Sequence, residues 1–117
     1  VVTGLCRIRL IIECTESLTS GGAATIQFGR EGLTNAFINN TVFSVIDVDE
    51  FWASSVDANI IAAGQTPNHV LDIISNGLDL GYEILVAALT DGSLLFHTFW
   101  QPLESGASVT AGAGGAL

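Results

Sequence analysis

Gly81-Tyr-Glu-Ile-Leu-Val-Ala-Ala-Leu-Thr90-Asp-Gly-Ser-Leu-Leu-Phe-His-Thr-Phe-Trp100-Gln101 is the stretch on which the fold turns. Two apolar runs, Gly81–Leu89 and Leu94–Gln101, flank Thr90-Asp-Gly-Ser93. An Asp-Gly pair between apolar runs is among the strongest short-range signals for a β-hairpin, because glycine supplies the positive φ of a primed turn. The first run places Tyr82, Ile84, Val86 and Ala88 on one face and Glu83, Leu85, Ala87 and Leu89 on the other. The second places Leu94, Phe96, Thr98 and Trp100 on one face and Leu95, His97, Phe99 and Gln101 on the other. A half-exposed strand alternates apolar with polar, whereas here both faces are apolar. With the larger aromatics Phe96 and Trp100 assigned inward beside Leu94, residues Leu95 and Phe99 need a cover, and Leu85 and Leu89 are placed with them. A neighbouring subunit is the leading expectation for that cover; loops of the same chain are the alternative.

Outward from this pair the chain reads as more short strands. Cys6, Ile8, Leu10, Ile12 and Cys14 alternate with Arg7, Arg9, Ile11 and Glu13, a period of two. Eight residues of strand separate the two cysteines by roughly 26 Å, beyond the ~7 Å Cα limit of a disulfide, so both are expected to be buried free thiols. Thr15–Gly22 reads as a polar turn, Ala24–Phe28 as a strand, and Gly29-Arg-Glu-Gly32 as a turn. Leu33–Asn40 is ambiguous, since Leu33, Phe37 and Ile38 sit near helical spacing while Asn35, Asn39 and Asn40 favour loop. Thr41–Ile46 is rich in β-branched residues and reads as a strand. Asp49 is placed to cap a helical turn carrying Phe51 and Trp52. Asp57–Ala63 and His69–Ile74 read as strands, Ser75-Asn-Gly77 as a turn, and Pro102 as the end of a ladder. About seven or eight short strands with turns every 8–12 residues predict an all-β antiparallel β-sandwich, jelly-roll or immunoglobulin-like, over residues 1–104. Residues 105–117 read as a Gly/Ala-rich arm, in which Val109 has the chemistry to extend a last strand.

Composition narrows the functional classes. The 117 residues carry 3 Arg, no Lys and 12 acidic residues, a net charge of −9. Nucleic-acid binding and attraction to anionic membranes both need cations that this chain lacks. Hydrophobic residues make up 49% of the chain and charged residues 13%, enough apolar surface for a core, and no run of about 18 apolar residues forms a membrane span. The sequence has no Met, so its N-terminus is expected to be processed or trimmed from a longer chain, and Val1–Cys14 does not read as a signal peptide.

The catalytic patterns do not assemble. His69 and His97 lie in no zinc-spaced set, and neither cysteine has a metal-ligand neighbour. There is no G-x-S-x-G elbow and no phosphate loop. Asp47-Val-Asp49-Glu50 is the densest carboxylate cluster, but it lacks the glycine and distant glutamate of a calcium loop. The scattered acids neither nominate nor exclude a glycosidase pair. Asn39-Asn-Thr41 matches a glycosylation sequon, a weak motif without a secretory context. No catalytic, cofactor or metal residue is therefore assigned, and none of these patterns points to an enzyme.

The succession Ala24-Thr-Ile-Gln-Phe-Gly29 with Asn35-Ala-Phe-Ile38, then Asp47-Val-Asp-Glu-Phe-Trp52, Ile74-Ser-Asn-Gly77 and Asp91-Gly-Ser-Leu-Leu-Phe-His-Thr-Phe-Trp-Gln-Pro-Leu103 resembles small virion structural proteins of tailed bacteriophages. The resemblance runs over roughly residues 4–105 and rests on a diffuse pattern. It implies a β-rich head decoration or minor capsid protein on the capsid exterior, partnered by the major capsid protein and by its own copies, with a trimer as the candidate oligomer. The arm from Ser105 would then grip a neighbour. The alternative is a receptor- or carbohydrate-binding sandwich of a head or tail fibre, with Trp52 and Tyr82 as aromatic platforms.

Overall fold

The alternation of Cys6–Cys14 is the middle of a much longer strand. In the computed structural model, which describes residues 1–54, 59–62 and 70–112 with backbone alone at 59–61, strand β2 spans Leu5–Ser20. The polar Thr15–Ser20 segment continues the strand, and the chain bends at Gly21 and Gly22. The other strands are β1 (Val2–Thr3), β3 (Thr25–Arg30), β4 (Leu33–Val42), β5 (Glu50–Ala53), β6 (Asn59–Ala62), β7 (Ile73–Asn76), β8 (Leu80–Leu85), β9 (Leu89–Pro102) and β10 (Ser108–Val109). Every pairing is antiparallel. No α-helix occurs among the described residues; Phe43–Val45 forms one 3-10 turn.

The larger sheet is organised on β2. Strand β9 pairs with it from Cys6↔Pro102 to Ser20↔Leu89 and so occupies one of its edges. Strands β5 and β7 share the other edge, at Ile11–Glu13 and Leu5–Ile8 respectively, and β6 follows β5. The smaller sheet of the sandwich has the order β4-β3-β8, and β1 and β10 pair in a separate two-stranded ladder. Inner faces of the two sheets meet in an apolar core of Ile8, Ile12, Ile26, Phe28, Phe37, Ile38 and Trp52. Phe28 is its hinge point. Its ring packs edge-on against Trp52 at 5.5 Å and against Phe96 at 5.8 Å, the favoured geometry of aromatic quadrupoles. The architecture is thus an all-β antiparallel sandwich.

Several sequence expectations change in detail. Thr90-Asp-Gly-Ser93 is not a hairpin turn: it lies inside β9, and β8 pairs with β3 instead. Glycine's freedom at Gly92, φ +120°, serves a bulge, where the register between β2 and β9 shifts opposite Glu16–Thr19. A bulge and a primed turn ask the same φ > 0 of the chain, so Asp-Gly alone does not separate them. The reversal falls at Val86–Ala88, with Val86 at φ 72°. Leu33–Asn40 is extended, in a hairpin with β3 that turns at Glu31 and Gly32, the latter at φ 78°. A register shift between Ile26 and Phe28 lets consecutive Phe37 and Ile38 both be buried, which accounts for their helix-like spacing.

Thr41–Ile46 is not one strand, because β4 ends at Val42 and the 3-10 turn follows. Asp49 caps no helix: it sits at φ 67° in a turn before β5. The strand wins because it pairs Ile11–Glu13 and buries Trp52 opposite Ile12. The expected strand at 69–74 begins instead at Ile73, with His69 outside the described residues. The stretch from Ser105 stays on the domain as far as Thr110. Ala107 is buried, Val109 pairs with Val2, and the N-terminal ammonium donates to the Thr110 carbonyl at 2.8 Å.

The bulge makes a testable demand. A Cβ at Gly92 would lie 2.7 Å from Leu18 Cα, whereas one at Gly21 meets nothing within 4 Å. Gly92→Ala is expected to lower unfolding free energy by about 1–3 kcal/mol in urea titration, and Gly21→Ala to leave it unchanged within about 0.5 kcal/mol.

Candidate interaction surface

Register decides which way each β9 side chain points. Residues paired in an antiparallel ladder project to the same face. Leu94, Phe96, Thr98 and Trp100 pair with Cys14, Ile12, Leu10 and Ile8, whose side chains form the core, so they lie on the inner side. Leu95, His97, Phe99 and Gln101 pair with Glu13, Ile11, Arg9 and Arg7 on the outer face. Leu95 is 49% exposed and Phe99 55%. No described part of the chain covers them.

The inward assignment needs one correction. Phe96 and Trp100 point to the core side yet remain 39% and 42% exposed. Among the described residues strand β9 pairs with β2 alone, so its inner side chains have a neighbouring strand on one side only. Phe96 reaches Phe28, and beyond it a cleft of about 550 Å³ opens between β8 and β9, lined by Tyr82, Ile84, Leu94 and Phe96. Leu85 and Leu89 do not join Leu95 and Phe99, because the hairpin that would align them does not exist. Leu85 lies on the smaller sheet opposite Thr25, and Leu89 pairs with Ser20 and packs against the core. The edge of β9, unpaired among the described residues, is the feature that sequence reading missed; its signal was the pair of apolar faces.

Around the exposed apolar residues the cations are consumed. Arg7 Nε and Arg9 Nε donate to the Asp72 carboxylate at 2.8 and 3.0 Å. The hydrogen bond from Arg9, with that from Arg7 and the charge of both, holds the Asp72 carboxyl below the usual aspartate range. His97 Nε2 lies 2.9 Å from Glu13 Oε2, giving this mid-strand histidine a structural partner. Arg30 donates to the Glu31 carbonyl at 2.8 Å. At Asp47–Glu50 the carboxylate of Glu50 accepts from the Asp47 amide at 2.7 Å, so the acidic cluster ties its own turn.

The remaining candidates have structural places. Trp52 is fully buried, with its Nε1 unpartnered among the described residues, and Tyr82 is half-buried opposite Phe28. They do not form an exposed platform. Cys6 and Cys14 are free and buried, and burial pushes the Cys14 thiol up. Among the described residues no group of three or more His, Cys, Asp or Glu has the arrangement of a metal site, and no helix is long and apolar enough to cross a membrane.

Compared with family models, with curated proteins and with solved structures, the chain matches none.

The Asp72 pair has a definite pH sign. Its folded pKa lies below its unfolded value, so its stabilisation is present above the ordinary carboxylate range and fades as pH falls through the lowered folded value. Both arginines are about half exposed, at 53% and 45%, which keeps the contribution below about 1 kcal/mol and sensitive to salt. Urea titrations of wild type and Asp72→Asn are expected to differ by that amount at pH 7 and to converge in acid.

Proposed function

We propose that the chain is a non-enzymatic virion structural protein, a decoration subunit that docks on the outer surface of a tailed-phage capsid and stabilises the head. One observation carries the reading most: Leu95, Phe99 and Ile74, all exposed, lie on the outer face of the larger sheet. A free monomer gains nothing by keeping such residues in water, and several large apolar residues exposed on one sheet face mark an interaction site. The resemblance of residues 4–105 to virion structural proteins supplies the partner class, the major capsid protein, and the location, the capsid exterior.

The chemistry is consistent with cementing. Filling apolar contacts between capsid subunits needs no catalytic group. Weak individual contacts become strong when repeated over a lattice. An excess of acidic residues keeps the decorated particle soluble and does not attract nucleic acid or anionic lipid. A receptor- or glycan-binding module of a fibre would display aromatic platforms; burial of Trp52 removes one of the two named from sequence.

The test uses heads of the virus that encodes the chain. Purified protein is expected to co-sediment with them to saturation, in fixed ratio to the major capsid protein, and to raise their thermal disruption temperature. Ile74 is 62% exposed and lies on the far side of β2 from β9. Ile74→Glu should therefore weaken binding at least tenfold, about 1.4 kcal/mol, with the unfolding midpoint unchanged. A few copies at the tail tip, with unchanged head resistance and lost adsorption when the protein is missing, would replace this reading with receptor binding.

A further inference from the structure

We propose that β9 is the seam to which a second copy of this chain adds, antiparallel and edge to edge, so that two larger sheets become one across a two-fold axis. The backbone states the need. Strand β9 is 14 residues long, and β2 is its sole ladder partner among the described residues. The other edge presents a row of amides and carbonyls that only another strand satisfies regularly. Rival edges are poorer. Strand β4 carries Asn35, Asn39 and Asn40, β7 has 4 residues, and β8 has 6 and includes Glu83.

Charge selects the occupant. Two copies at −9 repel wherever their carboxylates face each other. From Ser93 to Leu103 there is no Asp, Glu, Lys or Arg, and the single histidine there is already paired with Glu13. A foreign partner matched to so acidic a chain would carry cations, and this edge offers them no carboxylate of its own. It is the long edge on which like meets like without electrostatic cost.

Side-chain order is self-complementary as well. In a two-fold antiparallel ladder one residue faces its own copy. With His97 on the axis, Leu95 faces Phe99 of the partner subunit on the outer face, and Leu94 faces Trp100 of the partner subunit on the inner side, each contact occurring twice. Shifted so that Thr98 is on the axis, Leu95 would face Gln101 of the partner subunit and Phe99 would face His97 of the partner subunit. That shift would also set Phe96 against Trp100 of the partner subunit on the inner side, but only the first register gives both exposed outer-face residues, Leu95 and Phe99, an apolar partner, and cross-strand apolar pairs are the unit of sheet stabilisation. It also extends cover over the open cleft between β8 and β9. The product is a pair, in place of the trimer that the resemblance implies, and it forms without any capsid present.

The purified 117-residue chain is expected to sediment at twice its 12.2 kDa mass at micromolar concentration. Phe99→Lys is expected to raise the dissociation constant at least tenfold while the unfolding midpoint measured on the monomer stays in place. His97→Cys should form an inter-chain disulfide under mild oxidation and Thr98→Cys should not, since only a residue facing its own copy falls within bridging distance. Cys6 and Cys14 are fully buried and do not compete. A monomer at 100-fold higher concentration, a trimer, a pair indifferent to Phe99→Lys, or bridging at residue 98 in preference to 97 would each overturn the proposal. Pairing that appears only on addition of a strand peptide from another protein would also overturn it.

Discussion

The ladder between β2 and β9 is the constraint on which the other features depend. It runs from Cys6 to Ser20 and sets the facing of every side chain along both strands. Because the side-chain period is two, a slip of one residue would turn Ile8, Ile12 and Cys14 out to water and bring Arg7, Arg9 and Glu13 into the core. Burying the first set completely therefore locks the register, and the register sends Leu95 and Phe99 outward. The exposed apolar face is the geometric consequence of burying the opposite one.

The parts legible in sequence are those where one local rule acts alone. Alternation across Cys6–Cys14 identified a strand and its inner face, because nothing else competes with a period-two pattern flanked by arginines. Apolar residues on both faces of Leu94–Gln101 announced a surface in need of cover. Asp91-Gly92 misled because a primed turn and a bulge draw on the same left-handed freedom, and only the partner strand chooses between them. Asp49 misled in a similar way: its capping chemistry is real, but pairing Phe51–Ala53 with Ile11–Glu13 buries Trp52, and tertiary burial outweighs a local cap. Edge status is a property of strand order, which arises from contacts such as Thr25 with Leu85 that are distant in sequence.

The shortage of positive charge also acquires a place in the fold. Arg7 and Arg9 converge on Asp72, which anchors the segment before β7 to β2. That clamp lies on the outer face, beside Ile74 and next to the row that ends in Phe99. The same face thus has a charged half that is internally satisfied and an apolar half that is not. A surface so divided makes few electrostatic demands of a partner and gains mainly from being dried.

A sandwich with one long edge unpaired among the described residues is unfinished in two respects at once. Its backbone there lacks ladder partners, and its inner residues Phe96 and Trp100 lack a neighbour on that side. Natural edge strands usually blunt this hazard with lysines, prolines or inward charges. Here the chain has no lysine at all, and the proline that ends β9 stands beyond the apolar stretch. One association relieves both deficits, because a strand added to β9 satisfies amides and covers aromatics along the same seven residues. The bulge at Gly92 and the charge of Asp91 stand at one end of β9 and Pro102 at the other; the Leu94–Gln101 stretch between them carries no gatekeeper, as an edge meant to be paired would show.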